Sequence, residues 1–450
     1  MFPLWFACQH STTSPGPTTT PDTGSPIAHE TGSGTLTDTD TDIGDEPYRP
    51  TWIRAWGRAP ELVLPSGDGR LLVVVEGSSL PDVVFGVGDP DEFTLPWDGS
   101  GLLTVVDPTT GLPVIERRMA DQDWGLPVIG AADPGGAVIA FRGDDDMVPF
   151  PDDGGTMVPS WDATVVARVD ATAELRWYAL FLGGRLSSLV AAPDGSVYAC
   201  GQAVNGEIHH GSLMSDAAAT SASFVAAWTP SGDPRWLLVS DRDGWCTSLA
   251  ADETHVWVGW SGVSRPDRSL MEAQREVLAY DAATGALVSV APAFARALAV
   301  ADGGVDVLTY ESFALRLLHA DLAGTVTPGF PAFAPYLSSE RLVRRADGWM
   351  LWGVQTGGGS LGVVPSMEVY GGSSVDLVVG MLDADGRGVA ALDAGTTSFD
   401  AMAGVVELDD GSIVAGASGQ GYIGAQRQSP SALGHPGGGY GWLVRWDPVR

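Results

Sequence analysis

Two stretches of this chain carry side chains that could hold a metal ion. Residues 144–162 contain DDDMVPFPDDGG, which supplies Asp144, Asp145, Asp146, Asp152 and Asp153. Carboxylate oxygens at that density could surround Ca2+. The plainer alternative is a solvated acidic loop in an acidic protein. Residues 203–222 contain NGEIHHGSLMSD, where Glu207, His209 and His210 are donor types that a transition metal takes, and His435 is expected in another loop on the same face. Against that reading, neighbouring residues of a strand point to opposite faces, and no further ligand follows at a diagnostic spacing. No Ser/His/Asp or Cys/His set stands out by spacing. Three cysteines, Cys8, Cys200 and Cys246, are too few for a disulfide scaffold.

The composition limits what could present such groups. The chain has 450 residues and a net charge of −32, and all of its 24 basic residues are Arg. Binding a nucleic-acid backbone needs clustered positive charge, so no nucleic-acid partner is expected. The acidity favours solubility and admits cations. No run of ~18 apolar residues exists to cross a membrane as a helix. Short runs rich in Val, Leu, Trp and Tyr alternate with Gly, Asp and Pro clusters, which reads as all-β.

The first fifty residues differ from the rest. MFPLWFACQH resembles the end of a bacterial lipoprotein signal, in which a small residue precedes the lipidated Cys. Residues 1–8 are then a truncated signal end and Cys8 the lipidation site. A start placed downstream of the true one would account for the short apolar stretch. Residues 9–50 are rich in Thr, Ser, Pro, Gly and Asp, and predict a disordered tether. DTDTDIGD within it is not a calcium loop, because Ile43 stands where an EF-hand needs Gly and Arg49 where it needs Glu.

From residue 51 to 450 the chain repeats itself. A strand–Asp/Gly turn–strand piece, here called c–d, occurs at 61–77, 125–143, 186–202, 246–262, 295–312, 339–355 and 403–419. A second piece, a–b, begins at 101–111, 163–174, 223–233, 275–285, 313–324, 375–386 and 440–450. Asp107, Asp170, Asp281, Asp321, Asp383 and Asp447 share its turn position, with Thr229 in the remaining copy. Asp at that place can bond the backbone two residues on. Four strands recurring every ~43–64 residues are the signature of a β-propeller, here with seven blades. The last a strand, 442–446, lacks a b strand after it, and c–d at 61–77 follows only RPTWIRAWG. Trp52 shares the register of Trp177 and Trp236 in b strands. The orphan a strand and the orphan b, c and d strands are therefore expected to make one closing blade, with 442–446 innermost.

VLAYDAATGAL (277–287) resembles PQQ-like repeats and FVAAWTPSGDPRW (224–236) the SBBP type, both of secreted bacterial β-propeller proteins. The resemblance implies the fold and not a quinone cofactor, since the vicinal Cys pair of quinoprotein dehydrogenases has no counterpart here. Strand alternation puts the long d–a connections on one face with the b–c connections, and loops on a rigid scaffold are where binding resides. Cys200 and Cys246 fall near that face on neighbouring blades, either as a disulfide or as two small buried thiols. The expected function is a non-catalytic module of the bacterial cell envelope, outer-membrane-anchored or secreted. It would be a monomer that binds a protein or glycan at the loop face and touches the membrane only through its lipid. A metal-dependent hydrolase or lyase at the channel mouth, and a scaffold subunit of an outer-membrane assembly, are the alternatives.

Overall fold

The computed structural model describes residues 47–449, apart from 76–81, 86–92, 97–99, 120–128, 144–146, 157, 159–162, 204–206, 217–221, 264–272, 312–313, 334–336, 357–374, 396–400, 420–423 and 426–439. These belong to the folded unit Glu46–Arg450.

The chain enters through β1 (Tyr48–Trp56) and then builds antiparallel four-stranded units in order. The first is β2 (Pro60–Pro65), β3 (Leu71–Val75), β6 (Leu102–Asp107) and β7 (Leu112–Arg118), with the hairpin β4 (Asp82–Phe85) and β5 (Phe93–Pro96) inserted after β3. The next is β8 (Ile129–Asp133), β9 (Gly136–Arg142), β10 (Ala163–Asp170) and β11 (Leu175–Leu182). Then come β12 (Gly184–Ala191), β13 (Val197–Ala203), β16 (Ala222–Trp228) and the first half of β17 (Pro234–Ala251), with the hairpin β14 (Glu207–His210) and β15 (Leu213–Asp216) inserted after β13. The second half of β17 continues into β18 (His255–Val263), β19 (Ala273–Asp281) and β20 (Leu287–Ala291). There follow β21 (Ala297–Ala301), β22 (Gly304–Glu311), β23 (Ala314–Asp321) and β24 (Val326–Phe333), and then β25 (Leu337–Arg345), β26 (Gly348–Thr356), β27 (Val375–Asp383) and β28 (Gly388–Gly395). The chain closes with β29 (Ala401–Glu407), β30 (Ile413–Gly419), the short β31 (Gly424–Ala425) and β32 (Tyr440–Pro448).

The first strand of each unit faces its counterparts. β29, β2, β8, β12, the second half of β17, β21 and β25 neighbour one another in that order, and β29 also meets β26 beside β25. Units set side by side about a central channel make this an all-β propeller. The second and third strands lie between two units and are largely buried. Every residue of β3 (LLVVV) and β16 (ASFVAAW) is buried. The fourth strand stands at the rim and is half exposed, as in β11 and β20.

Two expectations require correction. Seven repeat copies predict seven blades, and the described strands do not show that number: they form six sheets. β17 is the cause: it runs from the rim of one unit to the channel of the next without a break, and joins both in one sheet. The order within a unit also differs. Strand c is innermost, so the order from the channel outward is c–d–a–b. β32 is a third strand, hydrogen-bonded to β30 on one side and β1 on the other, and β2 and β3 pair onward to β6. A repeat fixes its period but not its phase, and the cut between b and c falls in short connections that look no different from turns.

The Asp turns perform as their chemistry demands. The carboxylates of Asp107, Asp170, Asp321 and Asp383 each accept the backbone N–H two residues ahead, and Asp281 that of Thr284. In the seventh copy Asp447 is used otherwise and accepts from Arg445 and Ser412. These turns also hold neighbours together. The indole N–H groups of Trp52, Trp177 and Trp236 donate to the carbonyls of Pro108, Pro230 and Ala282, each just past the turn residue of the following unit. Glycine closes those turns because each indole lies where a Cβ would be. Gly232, with φ +88°, would place one 2.5 Å from Trp177.

Candidate functional site

On the face carrying the d–a connections, three of the described insertions fold back as strands onto the preceding unit. β4 pairs with β1 through Trp56 and Phe85, two buried rings meeting edge to face at 4.9 Å. β14 pairs with β11, and β31 with β28. In the connection after β9, the Phe150 N–H donates to the Met119 carbonyl, just past β7, at 2.8 Å. Met147, Phe150 and Val158 there are buried against Phe141. An unpaired rim strand offers a row of backbone donors and acceptors, and these insertions satisfy part of it.

The histidine candidates lie in this layer and do not converge. His210 faces inward, 1% exposed, with its ring 4.3 Å from that of Trp228 and its Nε2 2.7 Å from the Ala227 carbonyl. Burial lowers its pKa, the Ala227 carbonyl opposing, so the ring is held neutral. His209 faces out and meets Glu207 at 3.2 Å. Alternation along β14 thus separates the two rings. Asp152 and Asp153 are exposed in the short helical turn Pro151–Asp153. Asp144, Asp145, Asp146, His435 and Cys8 lie outside the described residues. Among the described residues no three His, Cys, Asp or Glu side chains gather as metal ligands would.

Cys200 on β13 and Cys246 on β17 are joined as a disulfide, with Cα atoms 5.9 Å apart. The bond ties the second strand of one unit to the inner strand of the next. The Ser187 hydroxyl reinforces the same seam through the carbonyls of Cys246 at 3.0 Å and Cys200 at 3.3 Å. A crosslink closing a loop of this size contributes about 2–4 kcal/mol. Cys246→Ala should lower the urea midpoint accordingly. Two thiols that alkylate in the native, unreduced protein would contradict the bond.

Two concave sites remain. The channel is a cavity of about 830 Å3 lined by the inner strands. Leu189, Leu249, Leu298 and Leu342 stand at one level around it. Glu61, Arg296 and Arg341 line its b–c end, and Arg344 and Glu407 the other. Sequence reasoning missed these residues because it placed strand a innermost. The recurring Leu in LSSLVAA, CTSLAAD, ARALAVA and SERLVRR was the available signal. The second site is a rim groove of about 580 Å3 between the units of β16 and β19. Burial, with the charge of Glu276 adding to it, pushes the Tyr280 hydroxyl in this groove up to about 12, so it stays a neutral phenol.

No family model matches the chain, and no curated protein does. Solved structures with a similar course include the β-propeller domain of the trilobed protease from Pyrococcus furiosus. It is 9% identical, with 79% of this chain and 89% of that one covered, at a TM-score of 0.43. The Neurospora crassa Pan2 WD40 domain is 11% identical over 65% and 86%, at 0.36. A Bacteroides caccae protein of unknown function is 10% identical over 72% and 94%, at 0.35. Likenesses of this degree lend the chain no activity.

Proposed function

We propose that this chain is a seven-bladed, non-catalytic binding module of the bacterial cell envelope. It is anchored through a lipid on Cys8 and binds a protein or glycan through the face of the d–a connections. In this reading each blade is an inner strand with three partners outward in its sheet, the last completed by β1. One observation carries the assignment of the face. Its insertions are clamped as strands onto the preceding rim, which presents varied sequence on a rigid ring. Insertions that only filled space would not need that ordering.

The test is a screen of the full chain against arrayed bacterial glycans and envelope proteins. It is repeated on a variant with residues 207–216 replaced by Gly-Gly. A ligand held by this face should lose at least ten-fold in affinity in the variant. Equal binding by both proteins would overturn the assignment of the face.

A further inference from the structure

Among the described residues, the rim strands other than β20 each carry some protection. β1, β11 and β28 are each met at one end, over one or two residue pairs, by a strand from the d–a connection of the following unit. Others defend themselves by composition. β7 carries Glu116, Arg117 and Arg118, β24 carries Pro328 and Pro331, and the rim half of β17 opens with Pro234 and Arg235. Charges and prolines are the usual means of blunting an edge. β20 has neither. Its sequence is LVSVA, and Leu287, Val288 and Val290 are 56%, 47% and 43% exposed. It ends its sheet among the described residues. The reason lies in the next unit. There Glu311 and Ala314 pair directly, so the d–a connection has two residues and can supply no covering strand.

This edge, which the Gly324 turn of the next unit approaches at the Val290 carbonyl, adjoins the rim groove. Leu287 and Val290 of β20 line it together with Leu278, Tyr280, Val239 and Glu276. An edge that offers backbone hydrogen bonds, next to a pocket that takes alternate side chains, is the geometry of strand addition.

We propose that β20 is a docking site for an extended segment of another protein, whose apolar residues alternate with basic ones. The segment adds as a strand to the edge and places every second side chain in the groove, where Glu276 meets a positive charge. The molecule itself shows what such an edge accepts, since β4, β14 and β31 are all antiparallel strands added to rim edges. Charge excludes the nearer occupants. A second copy brings another −32. The chain's own first 46 residues end in an acidic run, with Asp38, Asp40, Asp42, Asp45 and Glu46. Both bring negative charge toward a groove whose one charged lining residue is Glu276. The site is separate from the face assigned above and stands without it.

The probe is a fluorescent blocked peptide, Lys-Val-Thr-Val-Lys-Val, titrated into the full chain and followed by anisotropy. Its comparators are Glu-Val-Thr-Val-Glu-Val and a copy N-methylated at alternate amides. Saturable binding of the basic peptide is expected, at least ten-fold weaker for the acidic one and abolished by N-methylation. Val290→Arg and Val288→Pro should each weaken it at least ten-fold. Circular dichroism confirms the fold of each, and Val290→Arg, a surface change, keeps the test valid where proline disturbs the strand. Glu276→Gln should reduce the preference for the basic peptide, and the 207–216 variant should bind it normally. The proposal is overturned by absence of saturable binding, or by binding indifferent to N-methylation or to Val290→Arg. A dimer in sedimentation that Val290→Arg dissociates would also overturn it, assigning the edge to a second copy.

Discussion

Removal of residues 440–450 should abolish cooperative folding, whereas removal of residues 1–45 should leave the melting transition in place. β32 is hydrogen-bonded on both edges, to β30 and to β1. It fully buries Trp442, Leu443, Val444 and Trp446. Burial of such side chains contributes ~1.5–3 kcal/mol each, so the four together amount to roughly 6–12 kcal/mol. A domain has in total only about 5–15 kcal/mol to lose. The loss would also strand β1, whose partners are β32 and, at one position, β4. Without β32 we expect a broad, non-cooperative melt. A truncated protein that unfolds sharply near the wild-type midpoint would contradict the role given to this strand.

The second large effect is expected at Arg168. Its Nε lies 2.9 Å from Asp133 Oδ2, and a further guanidinium nitrogen contacts the same oxygen. The Asp133 side chain is 1% exposed, and its other oxygen is buried without a partner. The remaining nitrogen of Arg168 donates to the Pro230 carbonyl of the next unit at 2.9 Å, beside the Trp177 indole. The pair is therefore both a buried ion pair and a seam between units. Arg168→Met leaves a carboxylate buried and uncompensated, which costs about 3–5 kcal/mol. The double change Asp133→Asn with Arg168→Met should cost less than Arg168→Met alone, because no charge is then left behind. Arg387→Ala, which removes a partner of Asp385 in an exposed pair, should change stability by no more than about 1 kcal/mol. Chemical denaturation of the four proteins makes the comparison. Equal values for Arg168→Met and Arg387→Ala would show that burial at Asp133 does not matter.

Strong local chemistry was legible in the sequence. The Asp at the a–b turn, the Gly that closes it and, in three copies, a Trp in strand b share places in the repeat. In the structure they share a task, since the turn of one unit receives the indole of the one before. The phase was not legible, because a strand's place between channel and rim depends on its neighbours in space. Burial carries that information: β16 is buried at every residue, whereas β20 is mostly exposed. The histidine candidates part for a related reason. GEIHHGSLMSD has too few apolar residues to read as strands, yet it folds as the hairpin β14–β15 because β11 offers it an edge. That pairing turns His210 into the core and His209 to solvent, which dissolves the set with Glu207. The unprotected edge of β20 was recorded in the sequence as the one short d–a connection, without a sign of what it uncovered.

The proposed closure of the ring by the two ends of the chain is tested most directly by a crosslink. Ile53 and Val444 are paired across β1 and β32. With Cys8→Ser as background, Ile53→Cys with Val444→Cys should form an intramolecular disulfide under mild oxidation. Mass spectrometry of a peptic digest would then find the segments of β1 and β32 joined, and the melting point should rise with a stabilisation of up to about 5 kcal/mol. Ile53→Cys with Leu443→Cys is out of register by one residue, where side chains face oppositely, and should not crosslink. If both pairs remain fully alkylatable, or crosslink equally well, β1 and β32 do not pair in this register and the ring is not closed as described.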